Sequence, residues 1–190
     1  MPYKTDIKGW MHEEELQVIE QLAKTAKPVG VIAEVGSFCG KSTVAWALNA
    51  DPSVTIYCFD PFYEAIEDHE GNVCNTWEEF QKNTAEFKNV IPIRGLTPQH
   101  AGYTDPRLID VFFVDASHHN PSDWAIIEHF LPFVKPGGII AGHDYSSYFC
   151  ECPVAFPDVN LNVHRLEEMF NQKAKVTTTF WYLIKPEENK

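Results

Sequence analysis

Short apolar runs that stop abruptly at a carboxylate or a glycine recur along this 190-residue chain, and stretches of helical periodicity separate them. The runs VGVIAEVG (29–36), VTIYCFD (54–60) and IDVFFVD (109–115), with the shorter segment 138–141 before Gly142-His143-Asp144, have no polar face and are rich in β-branched residues. Such runs are too short for core helices and read as strands buried on both sides. A further strand falls near 90–94, and the closing VTTTFWYLIK reads as strand split into a hairpin. Between them, Leu16, Ile19, Leu22, Ala23 and Ala26 line one face of a helix from about His12 to Ala26, which Pro28 and Gly30 stop. KSTVAWALNA, the spacing of Trp77, Phe80, Thr84 and Phe87, and a stretch from about Val159 to Phe170 predict three more helices. Asn120, Pro121 and Asp123 start another, with a capping residue, a proline in the first turn and an acid at the positive dipole end. Strands alternating with helices predict a mostly parallel sheet with helices on both faces.

Composition narrows what such a domain meets. A net charge of −12 with 15 basic residues scattered along the chain argues against nucleic acid, because phosphate neutralisation needs clustered Lys and Arg. No stretch approaches the roughly 20 apolar residues of a membrane span. The N-terminal residues show neither an apolar signal region nor an Arg-rich transit pattern, so a cytoplasmic location is expected. Five cysteines give no disulfide framework; Cys39 and Cys58 sit in apolar segments, and the Cys150-x-Cys152 pair is a weak zinc signal. A small molecule is the expected partner, and room is left for a homo-oligomer.

In an open α/β sheet the ligand lies beyond the carboxyl ends of the strands, near the switch in strand order. The residues placed there are Glu34 with the loop Gly36 to Gly40, Asp60 and Pro61, Gly95 and Thr97, Asp115 and His118, and His143 with Asp144. The loop EVGSFCGKS opens a helix, so its glycines and free N–H groups suit an anionic group. It is neither G-x-G-x-x-G nor G-x-x-x-x-G-K-[ST], since only three residues separate Gly36 from Gly40, which disfavours a nucleoside triphosphate. Asp60 is placed to accept from both hydroxyls of an adenosine ribose. The segment from Pro61 to Asn75 has the polarity of a lid, with Phe62 and Tyr63 free to pack beneath it.

Taken together, AEVGSFCGKST, YCFDPF, IDVFFVDASHHN and LPFVKPGGIIAGHDY resemble the class I S-adenosylmethionine-dependent methyltransferases, and most closely methyltransferase family 24, whose members include small-molecule O-methyltransferases. The resemblance implies a Rossmann-like α/β fold, a seven-stranded, mostly parallel sheet with helices on both faces. It also implies one domain over residues 1–190, with 1–27 as a helical extension. It places Glu34, Gly36, Ser37, Gly40 and Ser42 along the methionine and ribose end of the cofactor. Asp60 and Pro61 fall at the ribose, Gly95 and Thr97 at the adenine, and Asp115 at the sulfonium and substrate.

Methyl transfer to a hydroxyl needs a held nucleophile and a proton acceptor. His118, in the D-x-S-H motif, is the expected base beside Asp115. The alternative device is a divalent ion, magnesium or manganese, on Asp115, His143 and Asp144. Because His143 stands where some relatives carry an acid, the donor set suits manganese better than magnesium. Two other readings remain open at this point, an NAD-dependent oxidoreductase and a catalytically inactive cofactor-binding interaction domain.

Overall fold

The computed structural model describes residues 3–67, 71, 73–95, 105, 107–146 and 156–187. Five parallel strands form the body of the main sheet: β1 (Val31–Val35), β2 (Thr55–Asp60), β5 (Val90–Arg94), β6 (Ile109–Val114) and β7 (Val134–Gly142). An antiparallel β9 (Phe180–Ile184) pairs with β7, and β8 (Lys175–Thr177) pairs with β9, completing seven strands in the order β5-β2-β1-β6-β7-β9-β8. The order reverses at β1, which lies between β2 and β6, so the cleft of an open α/β sheet is expected above the ends of these strands. Every residue of β1 and of β6 is buried, as strands this apolar require, each carrying a single carboxylate, Glu34 and Asp110.

Period-two alternation sends the two sides of each strand to different cores. Ile32, Ile56, Val111 and Phe113 pack with Leu16, Ile19 and Leu22 of α1 (Glu13–Ala23), Ala45 and Trp46 of α2 (Lys41–Asn49), and Phe80 of α3 (Thr76–Thr84). Val31, Ala33, Val35 and Phe112 pack on the opposite face with Ile126, Ile127 and Phe130 of α4 (Ser122–Phe130) and Val163 and Leu166 of α5 (Pro157–Phe170). Helices therefore cover both faces. Asp110, a carboxylate near the start of β6, is satisfied by the Val31 amide at 3.0 Å and by Lys135.

Three local features depart from the sequence reading. The turn expected at Lys135 to Gly138 is absorbed into β7: Ile109 pairs with Val134 but Val111 pairs with Ile139, so a register shift accommodates the extra residues. Residues of the lid segment form a small hairpin, β3 (Ile66–Glu67) with β4 (Val73–Cys74). Beneath it Phe62 is fully buried against Trp77 and Phe80, while Tyr63 is half exposed. The first helix is shorter than its apolar stripe suggested and ends at Ala23.

Candidate functional site

The parallel ladder itself assembles the site. Its bonding continues one residue past each strand: Gly95 N–H donates to Asp60 O (3.0 Å), Gly36 N–H to Phe59 O (2.9 Å), Asp115 N–H to Val35 O (2.8 Å) and His143 N–H to Val114 O (3.3 Å). Gly95, Asp60, Gly36, Asp115 and His143 thus stand side by side on the carboxyl edge. Five segments far apart in sequence meet because their registers are fixed by buried apolar runs.

The bend after β1 is possible only with glycine at its corner. Gly36 has φ +88, and a Cβ built there would lie 1.7 Å from the carbonyl oxygen of Asp115. Phe38 (φ 48) and Gly40 (φ 86) continue the left-handed turn into α2, whose N-terminus has no side-chain cap. The first amides of that helix are therefore available to an anionic group. Below the bend, Glu34 is fully buried; its Oε2 accepts from Ser37 (2.7 Å) and from Thr43, while Oε1 has no hydrogen-bond partner. Burial pushes its pKa up, against the hydroxyls of Ser42, Thr43 and Ser37 around it.

Asp60, also buried, ties two loops together: Phe38 N–H donates to Oδ2 (2.9 Å) and Phe62 N–H to Oδ1 (2.6 Å). Burial raises its pKa and those amides oppose the rise. Pro61 accepts from Arg94 through its carbonyl at 3.3 Å. Thr97 lies outside the described residues, as do Cys150 and Cys152.

At the ends of β6 and β7 four ionisable side chains converge. His118 Nε2 lies 3.1 Å from Asp115 Oδ1 and 3.0 Å from Asp144 Oδ2. His118 (φ 61) and Asp144 (φ 63) both occupy the left-handed region that non-glycine residues rarely adopt, a strain found mainly where function requires a particular side-chain direction. Burial would lower the pKa of His118, but the bonds to Asp115 and Asp144 raise it to about 10. The imidazole is therefore protonated near neutrality in the free protein. Burial likewise opposes the charge on Asp144, yet bonds from His118 and His143 hold its carboxyl below the usual range.

His143 sits one layer deeper. Its Nδ1 is 3.2 Å from Asp144 Oδ2 and 4.0 Å from Asp115 Oδ2, and its Nε2 is 3.0 Å from both Glu15 Oε2 and Thr179 Oγ1. Among the described residues, the side chains whose donor atoms gather within 4.8 Å, close enough for one metal ion, are Asp115, His118 and Asp144. His118 thus joins Asp115 and Asp144 in that group, while His143, the histidine named from the sequence, meets the same two acids through Nδ1.

Glu15 was not among the residues singled out in the sequence, where it belongs to the acidic first turn of α1. Yet it shares the 15, 19, 22, 26 stripe with Ile19, Leu22 and Ala26, which is the signal that could have placed it inside.

Comparison with known proteins bears on this arrangement. A family model described as a methyltransferase domain matches residues 33–145. No curated protein matches the sequence. Among solved structures, the O-methyltransferase NovP is 16% identical with a TM-score of 0.68, over 92% of this chain and 80% of that one. The O-methyltransferase TomG of Streptomyces achromogenes, solved in complex with S-adenosylmethionine, is 16% identical with a TM-score of 0.62, covering 94% and 82%. An S-adenosylmethionine-dependent O-methyltransferase from Thermotoga maritima is 13% identical with a TM-score of 0.64, covering 98% and 70%. At these identities the likeness is one of fold.

Proposed function

Because the chain belongs to the methyltransferase family whose domain model spans residues 33–145 and is an S-adenosylmethionine-dependent methyltransferase, we propose that it methylates a hydroxyl oxygen of a small molecule, such as a sugar or other metabolite. The observation that carries this reading is His118, held between Asp115 and Asp144 on the same sheet edge as the glycine bend. Family membership replaces the nicotinamide reading.

The residues present fit the cofactor. Asp60 accepts from the loop amides of Phe38 and Phe62, with the Ser37 amide also beside it, and a carboxylate's roughly four acceptor positions still leave room for a ribose hydroxyl. The uncapped start of α2, with Ser42 in its first turn, suits the methionine carboxylate, and Glu34 Oε1 is a buried acceptor still lacking a donor. Glu34, Gly36, Ser37, Gly40, Ser42, Asp60, Pro61, Gly95, Thr97 and Asp115 are the proposed cofactor residues.

When bound, S-adenosylmethionine supplies a methyl group on a cationic sulfur; the chain must hold the acceptor oxygen in line and remove its proton. His118 Nε2 is the proposed proton acceptor. In the free protein that nitrogen is already protonated, so it works as a base only once its own proton has left. Positive charge brought beside Asp115 and Asp144 weakens their hold on the imidazolium and moves His118 toward neutrality. Asp115, His118 and Asp144 could instead hold a divalent ion, whose role would be to acidify the hydroxyl; the mixed nitrogen and oxygen donors suit manganese better than magnesium. Ligand and base are exclusive roles for one Nε2 lone pair.

The thiols of Cys39, Cys58 and Cys74 are buried, with Cys39 Sγ 3.6 Å from Cys74 Sγ. Among the described residues no helix is long and apolar enough to cross a membrane. Calorimetric titration with S-adenosylmethionine and its demethylated product, followed by a methyl-transfer screen of hydroxylated small molecules with His118→Ala as control, tests the proposal. Binding of both ligands and a His118-dependent product are expected. Failure to bind either ligand at millimolar concentration, or transfer that survives His118→Ala unchanged, would refute it.

A further inference from the structure

Two thiols meet where the glycine bend touches the small hairpin. Cys39 stands in the bend between Phe38 and Gly40, and Cys74 ends β4, 35 residues further along the chain. Their sulfurs are 3.6 Å apart, in van der Waals contact. Both side chains belong to a satellite cluster with Ile7 and Val44, against which Phe38, Ile66 and Phe87 pack. Cys39 is wholly buried, while Cys74 keeps a small exposed surface next to exposed Val73. Reduced, the two act as small apolar residues; what the pair adds is that one covalent bond can join two segments.

A disulfide holds its sulfurs at about 2.05 Å, so bridging requires a closure of roughly 1.5 Å. The two sides do not share that movement equally. The Cys39 carbonyl accepts from Asn83 Nδ2 at 2.9 Å, Gly40 N–H donates to Ser37 O at 2.8 Å, and Phe38 N–H donates to Asp60 at 2.9 Å. Cys74 instead ends a two-residue strand paired with Ile66 and Glu67, and so short a ladder yields first. Closure therefore draws the hairpin onto the bend and leaves the bend where it is.

We propose that Cys39 and Cys74 are a reversible oxidation site, whose disulfide staples the β3–β4 hairpin to the glycine bend without disturbing the bend. Hydrogen peroxide is an oxidant small enough to reach them. Cys74, the less deeply buried, reacts first: its sulfur takes one peroxide oxygen as the O–O bond breaks, and the hydroxide released takes up the thiol proton as water. The Cys39 sulfur then attacks the sulfenic sulfur; the S–S bond forms, the S–O bond breaks, and the departing hydroxide leaves with the Cys39 proton as a second water. Two thiols are oxidised and one peroxide is reduced to two waters. Burial and the neighbouring Cys74 push the Cys39 thiol up in pKa, so the second step is slow and answers sustained oxidation.

The test exposes the folded full chain to a modest excess of hydrogen peroxide and maps the products by peptide mass spectrometry without reduction. A peptide pair joined through Cys39 and Cys74 is expected, and dithiothreitol should release it. Because the bond closes a 35-residue loop, the melting temperature should rise by roughly 5 to 10 °C on oxidation and fall back on reduction. Cys74→Ala should lose both the linked peptides and the rise. Calorimetric affinity for S-adenosylhomocysteine should stay within about twofold between the two redox forms, since an unmoved bend carries no coupling to the ligand. Absence of the 39–74 linkage in the folded chain, a linkage that leaves the melting temperature unchanged or lowers it, or an affinity change beyond that range overturns the proposal. If Cys74→Ala does not fold, the peptide map and the melting of the wild type decide alone. The affinity measurement rests on the methyltransferase reading above: a reduced chain that does not bind S-adenosylhomocysteine at millimolar concentration refutes that reading, while linkage and melting still decide the staple.

Discussion

Replacing His118 with Asn should abolish a specific part of the protein's pH-dependent stability. His118 has a pKa of about 10 in the folded chain against 6.5 unperturbed, because two carboxylates at 3.0 and 3.1 Å outweigh the cost of burial. A raised folded pKa means that the stabilisation is complete below pH 6.5 and is lost as pH rises through about 10. Within that window the folded chain carries a proton that the unfolded chain has released. His118 should therefore lower the unfolding free energy by about 1.4 kcal/mol for each pH unit of increase. Across the window this amounts to roughly 4 to 5 kcal/mol at most. Asn suits the left-handed backbone of this position and leaves the fold otherwise undisturbed. Urea unfolding of both proteins at pH 6, 7.5 and 9, with a chelator present to keep metal away, gives the difference directly. The wild-type advantage should be largest at pH 6 and shrink steadily toward pH 9. Parallel profiles, offset by a constant, would show that the two carboxylates do not hold His118 as an imidazolium and would refute the reasoning.

Three other outcomes follow from the geometry. Gly36→Ala drives a methyl group into the Asp115 carbonyl and forces a left-handed residue to carry a Cβ, so it should cost at least about 3 kcal/mol or prevent folding, read as a fall in melting temperature. Asp60→Ala frees the amides of Phe38 and Phe62 and removes the proposed ribose acceptor; a loss of about 1 to 3 kcal/mol in stability is expected, together with at least about tenfold weaker S-adenosylmethionine binding by calorimetry. Manganese titration followed by electron paramagnetic resonance should show one ion bound per chain with Asp144→Asn abolishing it if the Asp115, His118 and Asp144 group is a metal centre, and no saturable binding to the wild type would dismiss the ion.

Much of the fold was legible because its signals are local. The strand cores at 31–35, 55–60 and 109–114 follow from apolar runs that only a doubly covered sheet can bury. The hairpin at 66–67 and 73–74 was not legible, since two-residue strands carry no periodicity. The extended start of β7 was hidden by Lys135-Pro136-Gly137-Gly138, which fall in the register irregularity between Val134 and Ile139 and have no partner in the ladder to β6. Asp60, Asp115 and Asp144 could be named as candidate site residues because each ends a strand or follows closely on one.

The sequence alone therefore determined the alternation of elements, the edge of the sheet where the candidate site residues gather, and the residue types available there, all properties of neighbours along the chain. Which of those residues touch was decided by tertiary structure. His118 joins His143 at the two acids because left-handed turns at 118 and 144 bring both side chains to one point. Glu15 reaches His143 across 128 residues because the apolar stripe of α1 docks on the sheet and carries one carboxylate inward with it. Such pairings depend on how helices and strands are stacked, and stacking is a property of the folded whole.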